Sequence, residues 1–204
     1  MSETTTHAVH RDDEASKLGM WLFLFTELLL FGGLFLVYTI YRHLNFEAFS
    51  NAGRELSVAF GTINTVVLIT SSLTVALSIS AIKANQPKKA KNLLWLTIFF
   101  ALVFMINKYF EWSAKIDHGL FPGMDHFLGL PPGEGLFYLL YFFMTGLHAF
   151  HIIAGSIFII VVIRQISKGN VKHDDYILQE NAGLYWHLVD VIWIYLFPLF
   201  YLIQ

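Results

Sequence analysis

The sequence has no cysteine and few charged residues, and both shortages exclude classes of protein. Without cysteine, the chain forms no disulfide, no thiolate metal site and no iron–sulfur cluster. Charged residues make up 14% of the 204 residues, whereas a soluble domain has about 25%. Apolar residues make up 56%, and the mean hydropathy is +0.58. The composition predicts an integral membrane protein, and the net charge of −2 indicates no nucleic-acid partner.

Common catalytic motifs are also missing from the sequence. It contains no nucleophile elbow, no phosphate-binding loop and no zinc-protease motif, so we predict no catalytic residue on this chain. Residues 1–17 are polar and lack the apolar stretch of a signal peptide. We expect them to form a disordered tail ahead of a membrane domain at 18–204.

What the sequence does contain is five long apolar runs. Each has roughly 20 residues or more, the length that spans about 30 Å of hydrocarbon. They show no sustained alternation of polar and apolar residues, so strands are not expected. The prediction is an all-α bundle of five transmembrane helices, joined by polar connectors such as RHLNFEAFSNAGREL at 42–56. The predicted spans are Leu18–Tyr41, Phe60–Ile82, Leu93–Ile116, Leu136–Ile163 and Ala182–Ile203.

The distribution of basic residues predicts the orientation of the bundle. Nine lysines and arginines fall on the side of the amino terminus, and three, Arg42, Arg54 and Lys115, fall on the other side. Cytoplasmic loops carry the excess of positive charge. The amino terminus is therefore expected in the cytoplasm and the carboxyl terminus outside.

Glu27 is the only charged residue of the first span. An ionised side chain at that depth costs roughly 3 kcal/mol on insertion scales, so something outside its own helix must face it. At 1.5 Å per residue, Glu27 lies about 13 Å from the cytoplasmic edge, Asp190 about 12 Å and His151 about 18 Å. These three residues are predicted to lie near one level.

A second pair of charges, Lys108 and Glu111, lies near the outer face of the third span. The two residues are three apart, and Lys115 is four beyond Glu111, so both spacings suit ion pairs within one helix. A lysine stem can also extend toward the membrane surface. We expect a structural role for this outer pair.

Histidines at helical spacing raise the question of a metal or a haem. His148 and His151 share one face of the fourth span, and His187 and Asp190 share one face of the fifth. A dinuclear centre of the carboxylate–histidine type needs Glu-x-x-His pairs, which are missing. Haem between two histidines needs both at one level, whereas His187 and His151 lie at about 8 and 18 Å. No metal and no cofactor are predicted on this chain.

The motifs together resemble one family, subunit III of the haem–copper terminal oxidases in its short five-helix form. The resemblance covers most of residues 18–203. The segments that carry it are WLFLFTELLLFGGLFLVY, INTVVLITSSLTVALSISAI, FEW, TGLHAFHIIAGSIFIIVVIRQ and ENAGLYWHLVDVIWIYLFPLFY. The Gly-Leu-His-x-x-His-x-x-x-Gly run followed by Tyr-Trp-His-x-x-Asp-x-x-Trp is the most specific part.

The resemblance implies an accessory subunit without a redox cofactor in the bacterial cytoplasmic membrane. Its expected partners are subunit I, which holds the haems and copper, subunit II, a small subunit IV and bound phospholipid. Such a subunit sustains proton uptake and protects the oxidase from inactivation during turnover. The long form has two further amino-terminal helices, so we expect a smaller lipid cleft here, or one completed by another subunit.

The resemblance also assigns residues. The buried, carbodiimide-reactive glutamate of the family falls on Glu27, and the lipid-contacting arginine falls on Arg164. Lys108 departs from the family, where a glutamine or glutamate stands. The remaining matches are the polar cluster His148, His151, His187 and Asp190, and the helix-end acid Glu180.

Our hypothesis is that Glu27 faces His151, Asp190, or a phospholipid headgroup held by Arg164. Two other functions stay open at this point. One is a small proton-coupled transporter or channel that uses Glu27 and Asp190, although only Pro198 falls within a span to break a helix. The other is a membrane cytochrome that binds haem.

Overall fold

The computed structural model describes residues 13–203, and in this part of the chain it is helical with no strand. The five predicted transmembrane helices are confirmed, each long and apolar enough to cross a membrane. The helices are α1 (Asp13–Leu44), α2 (Phe46–Arg54), α3 (Val58–Lys83), α4 (Pro87–Asp117), α5 (Asp125–Leu128), α6 (Pro132–Ser167) and α7 (Ile177–Phe197), followed by a π-helical segment, Pro198–Leu202. The membrane-spanning helices are α1, α3, α4, α6 and α7.

The helices extend beyond the apolar runs that predict them. Residues 13–17, part of the predicted tail, form the first turn of α1; the rest of that predicted tail lies outside the described residues. The polar turn is held in place because Lys17 pairs with Glu180 of α7 at 3.3 Å. Helix α4 begins six residues before its apolar run, at Pro87. Proline suits the first turn of a helix because an N–H group at that position has no partner within the helix.

Three of the long helices end in the same way, with one residue in the left-handed conformation. Gly119 after α4 and Gly169 after α6 both have φ of 74°, and Asn85 after α3 has φ of 55°. At the end of α4, the Gly119 N–H donates to Ile116 O and the Leu120 N–H to Lys115 O. This pattern is the Schellman motif, which satisfies the last carbonyl groups of a helix.

The prediction that residues 42–56 form only a polar connector was wrong, because most of this segment is the helix α2. This helix packs against the start of α6 and buries Phe49, which lies edge-on to Phe137 at 5.5 Å and to Tyr38 at 5.4 Å. Nine residues with one apolar face are too short for the length rule that identifies spans. Helix α2 therefore covers the carboxyl-terminal end of α1 and the beginning of α6.

The close contact between α2 and α6 depends on Gly133. A Cβ atom added there would lie 2.7 Å from the Cβ of Ala48, so Gly133→Ala should destabilise the chain by about 1–3 kcal/mol through overpacking. We expect faster amide exchange in Phe46–Arg54 as the readout. The double variant Gly133→Ala/Ala48→Gly should recover most of the loss, and Gly33→Ala, where the added atom meets open space, should be neutral. Slow exchange in the single variant would contradict this contact.

Helices α3, α4, α6 and α7 form the core of the bundle, and α1 lies at its edge against α6 and α7. Only 11% of the apolar window of α1 is buried, against 50% in α7. Hydrogen bonds reinforce the core: Trp186 Nε1 donates to Ser71 Oγ at 3.0 Å, and Trp193 Nε1 donates to Thr65 Oγ1 at 3.0 Å. The serine and threonine residues of α3 thus bind both tryptophans of α7.

Candidate functional site

Glu27 of α1 faces His151 of α6. The Glu27 Oε2 and His151 Nε2 atoms are 2.9 Å apart, and the two side chains are 15% and 9% exposed. Phe31 lies edge-on to the imidazole at 5.3 Å, and the Tyr185 hydroxyl donates to the His151 carbonyl at 3.2 Å. The pair is therefore largely covered by side chains of three helices.

The second ring nitrogen of His151 determines how many protons the pair shares. Nδ1 lies 2.7 Å from the carbonyl oxygen of Leu147, one turn earlier on α6. Because a carbonyl oxygen only accepts, Nδ1 must carry a hydrogen. One further proton then lies between Nε2 and Glu27. If the ring carries this proton, the two side chains form an ion pair; if the carboxyl group carries it, they form a neutral pair. The arrangement places one shared proton between a side chain of α1 and a side chain of α6.

Asp190 does not join this pair, although the depth estimate placed it at the same level. It lies on α7 and is 4% exposed, and among the described residues neither carboxyl oxygen has a donor in hydrogen-bonding geometry. Its neighbour on the same face, His187, places Nδ1 2.6 Å from the hydroxyl oxygen of Ser72 on α3. His187 and Asp190 thus face α3, whereas Glu27 and His151 meet between α1 and α6.

His148 contacts neither the pair of Glu27 and His151 nor the pair of His187 and Asp190. The four residues of the predicted polar cluster therefore do not form one cluster. Its ring is fully buried between Phe104, at 5.6 Å, and Trp193, at 5.2 Å. Neither ring nitrogen has a hydrogen-bond partner in the described part of the chain. Within residues 13–203, no group of three or more histidine, aspartate or glutamate residues could hold a metal ion.

The outer pair, Lys108 and Glu111, forms a compact buried charge cluster. Their side chains are 2% and 4% exposed, and Nζ lies 2.9 Å from Glu111 Oε2. The Lys108 ammonium group also donates to the hydroxyls of Tyr141 at 3.0 Å and Tyr201 at 2.8 Å, and Tyr201 donates to Glu111 Oε1 at 2.6 Å. All three N–H groups of the lysine are satisfied inside the bundle.

Two expectations about this pair were wrong. Lys108 does not extend toward the membrane surface, because α4 turns it into the core, where Tyr141 and Tyr201 offer acceptors. Lys115 does not pair with Glu111; its ammonium group donates to the carbonyl oxygen of Glu55 at 2.7 Å. Sequence reasoning also missed both tyrosines, and no sequence signal connects Tyr201 with a lysine 93 residues away.

The remaining predicted residues lie at the amino-terminal side of the bundle, where α1, α4 and α7 begin. Glu180 accepts ion pairs from Lys17 at 3.3 Å and from Lys83 at 3.2 Å, and so joins α7 to α1 and α3. Arg164, near the end of α6, is exposed. It is therefore available to a charged group from outside the chain.

These features define an integral membrane protein with five spanning helices. The model of the family described as cytochrome c oxidase subunit III matches residues 1–204. The chain belongs to the cytochrome c oxidase subunit III family, which confirms the resemblance predicted from the sequence.

Individual relatives agree with this assignment. The chain is 31% identical to cytochrome c oxidase subunit 3 of Thermostichus vulcanus over 195 residues, which cover 95% of this chain and 90% of that protein. It is 29% identical to cytochrome bo(3) ubiquinol oxidase subunit 3 of Pseudomonas putida, over 95% of this chain and 88% of the relative. It is also 29% identical to a heme-copper oxidase subunit I+III of Aeropyrum pernix, where 92% of this chain matches 22% of the longer protein.

Proposed function

We propose that this chain is an accessory, cofactor-free subunit of an aerobic respiratory haem–copper oxidase. It packs beside subunit I, which holds the haems and copper, together with subunit II and a small subunit IV. The family assignment supports this proposal, as does the relative whose name joins subunits I and III in one chain. Its exposed apolar faces are available to lipid and to partner helices.

We further propose that the amino terminus faces the cytoplasm of a bacterium and that the carboxyl terminus lies outside. The nine-to-three distribution of basic residues supports this orientation. Arg164 then lies at the cytoplasmic surface. We propose that it binds the headgroup of a phospholipid, because it is exposed near the end of α6.

The observation that carries the functional proposal is the contact between Glu27 and His151. A carboxyl group and an imidazole 2.9 Å apart, with one proton between them, form a site that accepts and releases a proton inside the membrane domain. In our proposal this pair supports proton uptake by subunit I and keeps the oxidase stable during turnover.

Glu27→Gln tests the proposal in the complete oxidase. We expect the variant to insert and to co-purify with a larger subunit that carries haem and copper, but to lose carbodiimide labelling of this chain. It should also inactivate faster than the wild type in a time course of oxygen consumption, because the amide cannot release the shared proton. Glu47→Gln, at an exposed carboxylate on α2, is the matched control.

Three outcomes would contradict the proposal. One is a Glu27→Gln oxidase with the lifetime of the wild type. The second is purification without a haem- and copper-bearing partner. The third is a haem spectrum from this chain alone, which would indicate a cytochrome.

A further inference from the structure

Asp190 is a carboxyl group that is buried inside the bundle. The residue lies on α7 and is 4% exposed, and neither of its oxygens has a hydrogen-bond partner among residues 13–203. An ionised carboxylate in such surroundings costs so much free energy that the group takes up a proton instead. This cost is avoided if Asp190 is a neutral carboxylic acid.

A serine of α3 lies between this carboxyl group and a histidine. The Ser72 hydroxyl is beside the Asp190 carboxyl group, and its oxygen is 2.6 Å from Nδ1 of His187. A hydroxyl group donates one hydrogen, accepts at its lone pairs and rotates its hydrogen to suit its neighbours. Ser72 can therefore connect the acid to the imidazole.

The other side of the imidazole faces a cavity. His187 lines a space of about 400 Å³ at the amino-terminal side of the bundle, where Glu180 pairs with Lys17 and Lys83. Since Nδ1 contacts Ser72, Nε2 is the nitrogen left for this cavity, and it makes no hydrogen bond with the part of the chain that the structure describes. Each water molecule takes about 30 Å³, so the cavity has room for several.

We propose that Asp190 is a proton-binding site and that it exchanges its proton with the amino-terminal side of the bundle through Ser72 and His187. The site shares no residue with the pair of Glu27 and His151, which meets between α1 and α6. The inference does not depend on the oxidase function.

The same three side chains serve both protonation states of Asp190. In the protonated state, the carboxyl group donates to the Ser72 oxygen, Ser72 donates to Nδ1 of His187, and Nε2 carries the ring hydrogen. In the ionised state, Nδ1 carries the hydrogen and donates to Ser72, and Ser72 donates to the carboxylate. A small rotation of the Asp190 side chain toward Ser72 completes either chain.

Release of the proton changes only O–H and N–H bonds. The proton of Asp190 passes to the Ser72 oxygen while the hydrogen of Ser72 passes to Nδ1. The ring, which then carries two hydrogens, gives the Nε2 hydrogen to a water molecule in the cavity. One proton has left and Asp190 is ionised; uptake is the reverse. The charged groups at the water end are Lys17 of α1, Lys83 of α3 and Glu180 of α7.

Infrared spectroscopy tests the proposal on the full chain, purified with the subunits that accompany it. A protonated carboxyl group has a carbonyl stretching band that is separate from those of carboxylates and of the backbone, and this band shifts when deuterium replaces the proton. The wild-type spectrum minus that of Asp190→Asn should contain such a band. In heavy water, the band should move to its deuterated position at a rate set by Ser72 and His187.

Two variants should keep the acid but slow its exchange. Ser72→Ala removes the hydroxyl group, and His187→Phe removes both ring nitrogens. We expect deuterium exchange at the Asp190 band to slow by about 10²-fold in each, since a positioned proton-transfer group contributes at least that factor. A purely structural role of Ser72 or His187 would not leave the band intact and slow only its exchange.

Two control variants separate the relay from the packing of α3. Ser72→Thr keeps a hydroxyl group and should exchange at the wild-type rate. Ser80→Ala removes an exposed hydroxyl of α3 that donates to the carbonyl oxygen of Ala76, and it should also exchange like the wild type. Slow exchange in Ser80→Ala would contradict a specific relay.

Two further outcomes would overturn the proposal. One is a wild-type spectrum without the Asp190 band, which would show an ionised carboxylate. The other is exchange at the wild-type rate in Ser72→Ala and His187→Phe. If Asp190→Asn does not assemble, the difference between the wild-type and Ser72→Ala spectra early in heavy water must contain the band instead, and a flat difference would count against the proposal.

Discussion

Replacing Lys108 with methionine is expected to destabilise the bundle by about 3–5 kcal/mol, because the change leaves the Glu111 carboxylate buried without its cation. The ammonium group has no access to water, and its three hydrogens bind Glu111, Tyr141 and Tyr201. Methionine has a similar length and fills the same space, so the loss of charge dominates the effect. The measurement is the free energy of unfolding in detergent, obtained from a denaturant titration.

Removing both charges should restore most of that stability. In Lys108→Met/Glu111→Gln the glutamine oxygen still accepts from Tyr201, and no isolated charge remains. Replacement of a buried ion pair by neutral groups is often close to neutral. Lys88→Met, an exposed position on the same helix, is the control and should change little. A double variant as unstable as Lys108→Met would mean that the cluster acts through packing rather than charge.

The fold was largely predictable because a membrane allows few backbone structures to cross it. Backbone groups in hydrocarbon must bond within their own segment, so a long apolar run such as 136–163 has few alternatives to a helix. This argument does not predict helix α2, because α2 lies at the edge of the bundle and buries one face only. The sequence gives no comparable length signal for nine residues, and Phe49 is buried only through contacts with α1 and α6.

For the candidate site, the sequence predicts a level for each residue but not the direction in which its side chain points. A single carboxylate in an apolar run requires a polar or charged partner. His151 is one of the three partners that the sequence predicts for Glu27. Residue spacing gives a level in the membrane, but it does not give the rotation of one helix against another. Asp190 is predicted at the same level as Glu27, yet its neighbour on the same face, His187, contacts Ser72 of α3. The same lack of rotational information left open whether Lys108 points toward the membrane surface or into the core.

Glu27 and Lys108 show two ways of keeping a charged residue within an apolar bundle. The Lys108 cluster is closed, since each ammonium hydrogen has an acceptor and the side chain is 2% exposed. The pair of Glu27 and His151 is more open, with 15% and 9% exposure and one proton between the two groups. A closed cluster suits stability, whereas a partly open pair suits the proton exchange that we propose, so the two sites should respond differently to mutation.

A double-mutant cycle on Glu27 and His151 should show strong coupling between them. His151→Leu leaves the carboxyl group facing apolar side chains, and Glu27→Leu leaves the imidazole without its partner. Each single change is expected to cost about 1–3 kcal/mol through the unsatisfied group. The double variant should cost less than the sum of the two, with a coupling energy of about 1.5–3 kcal/mol, the range of hydrogen bonds to charged groups.

The matched comparison is a neutral buried contact, the hydroxyl pair of Thr74 and Thr97 at 2.7 Å. The cycle of Thr74→Val and Thr97→Val should give a coupling of about 0.5–1.5 kcal/mol, typical of a neutral hydrogen bond. Both cycles use the same unfolding titration in detergent, so the difference between them measures the contribution of charge to the contact between Glu27 and His151. Equal coupling in the two cycles would mean that the Glu27 and His151 pair carries no charge, and additive single effects would mean that the contact contributes nothing to stability.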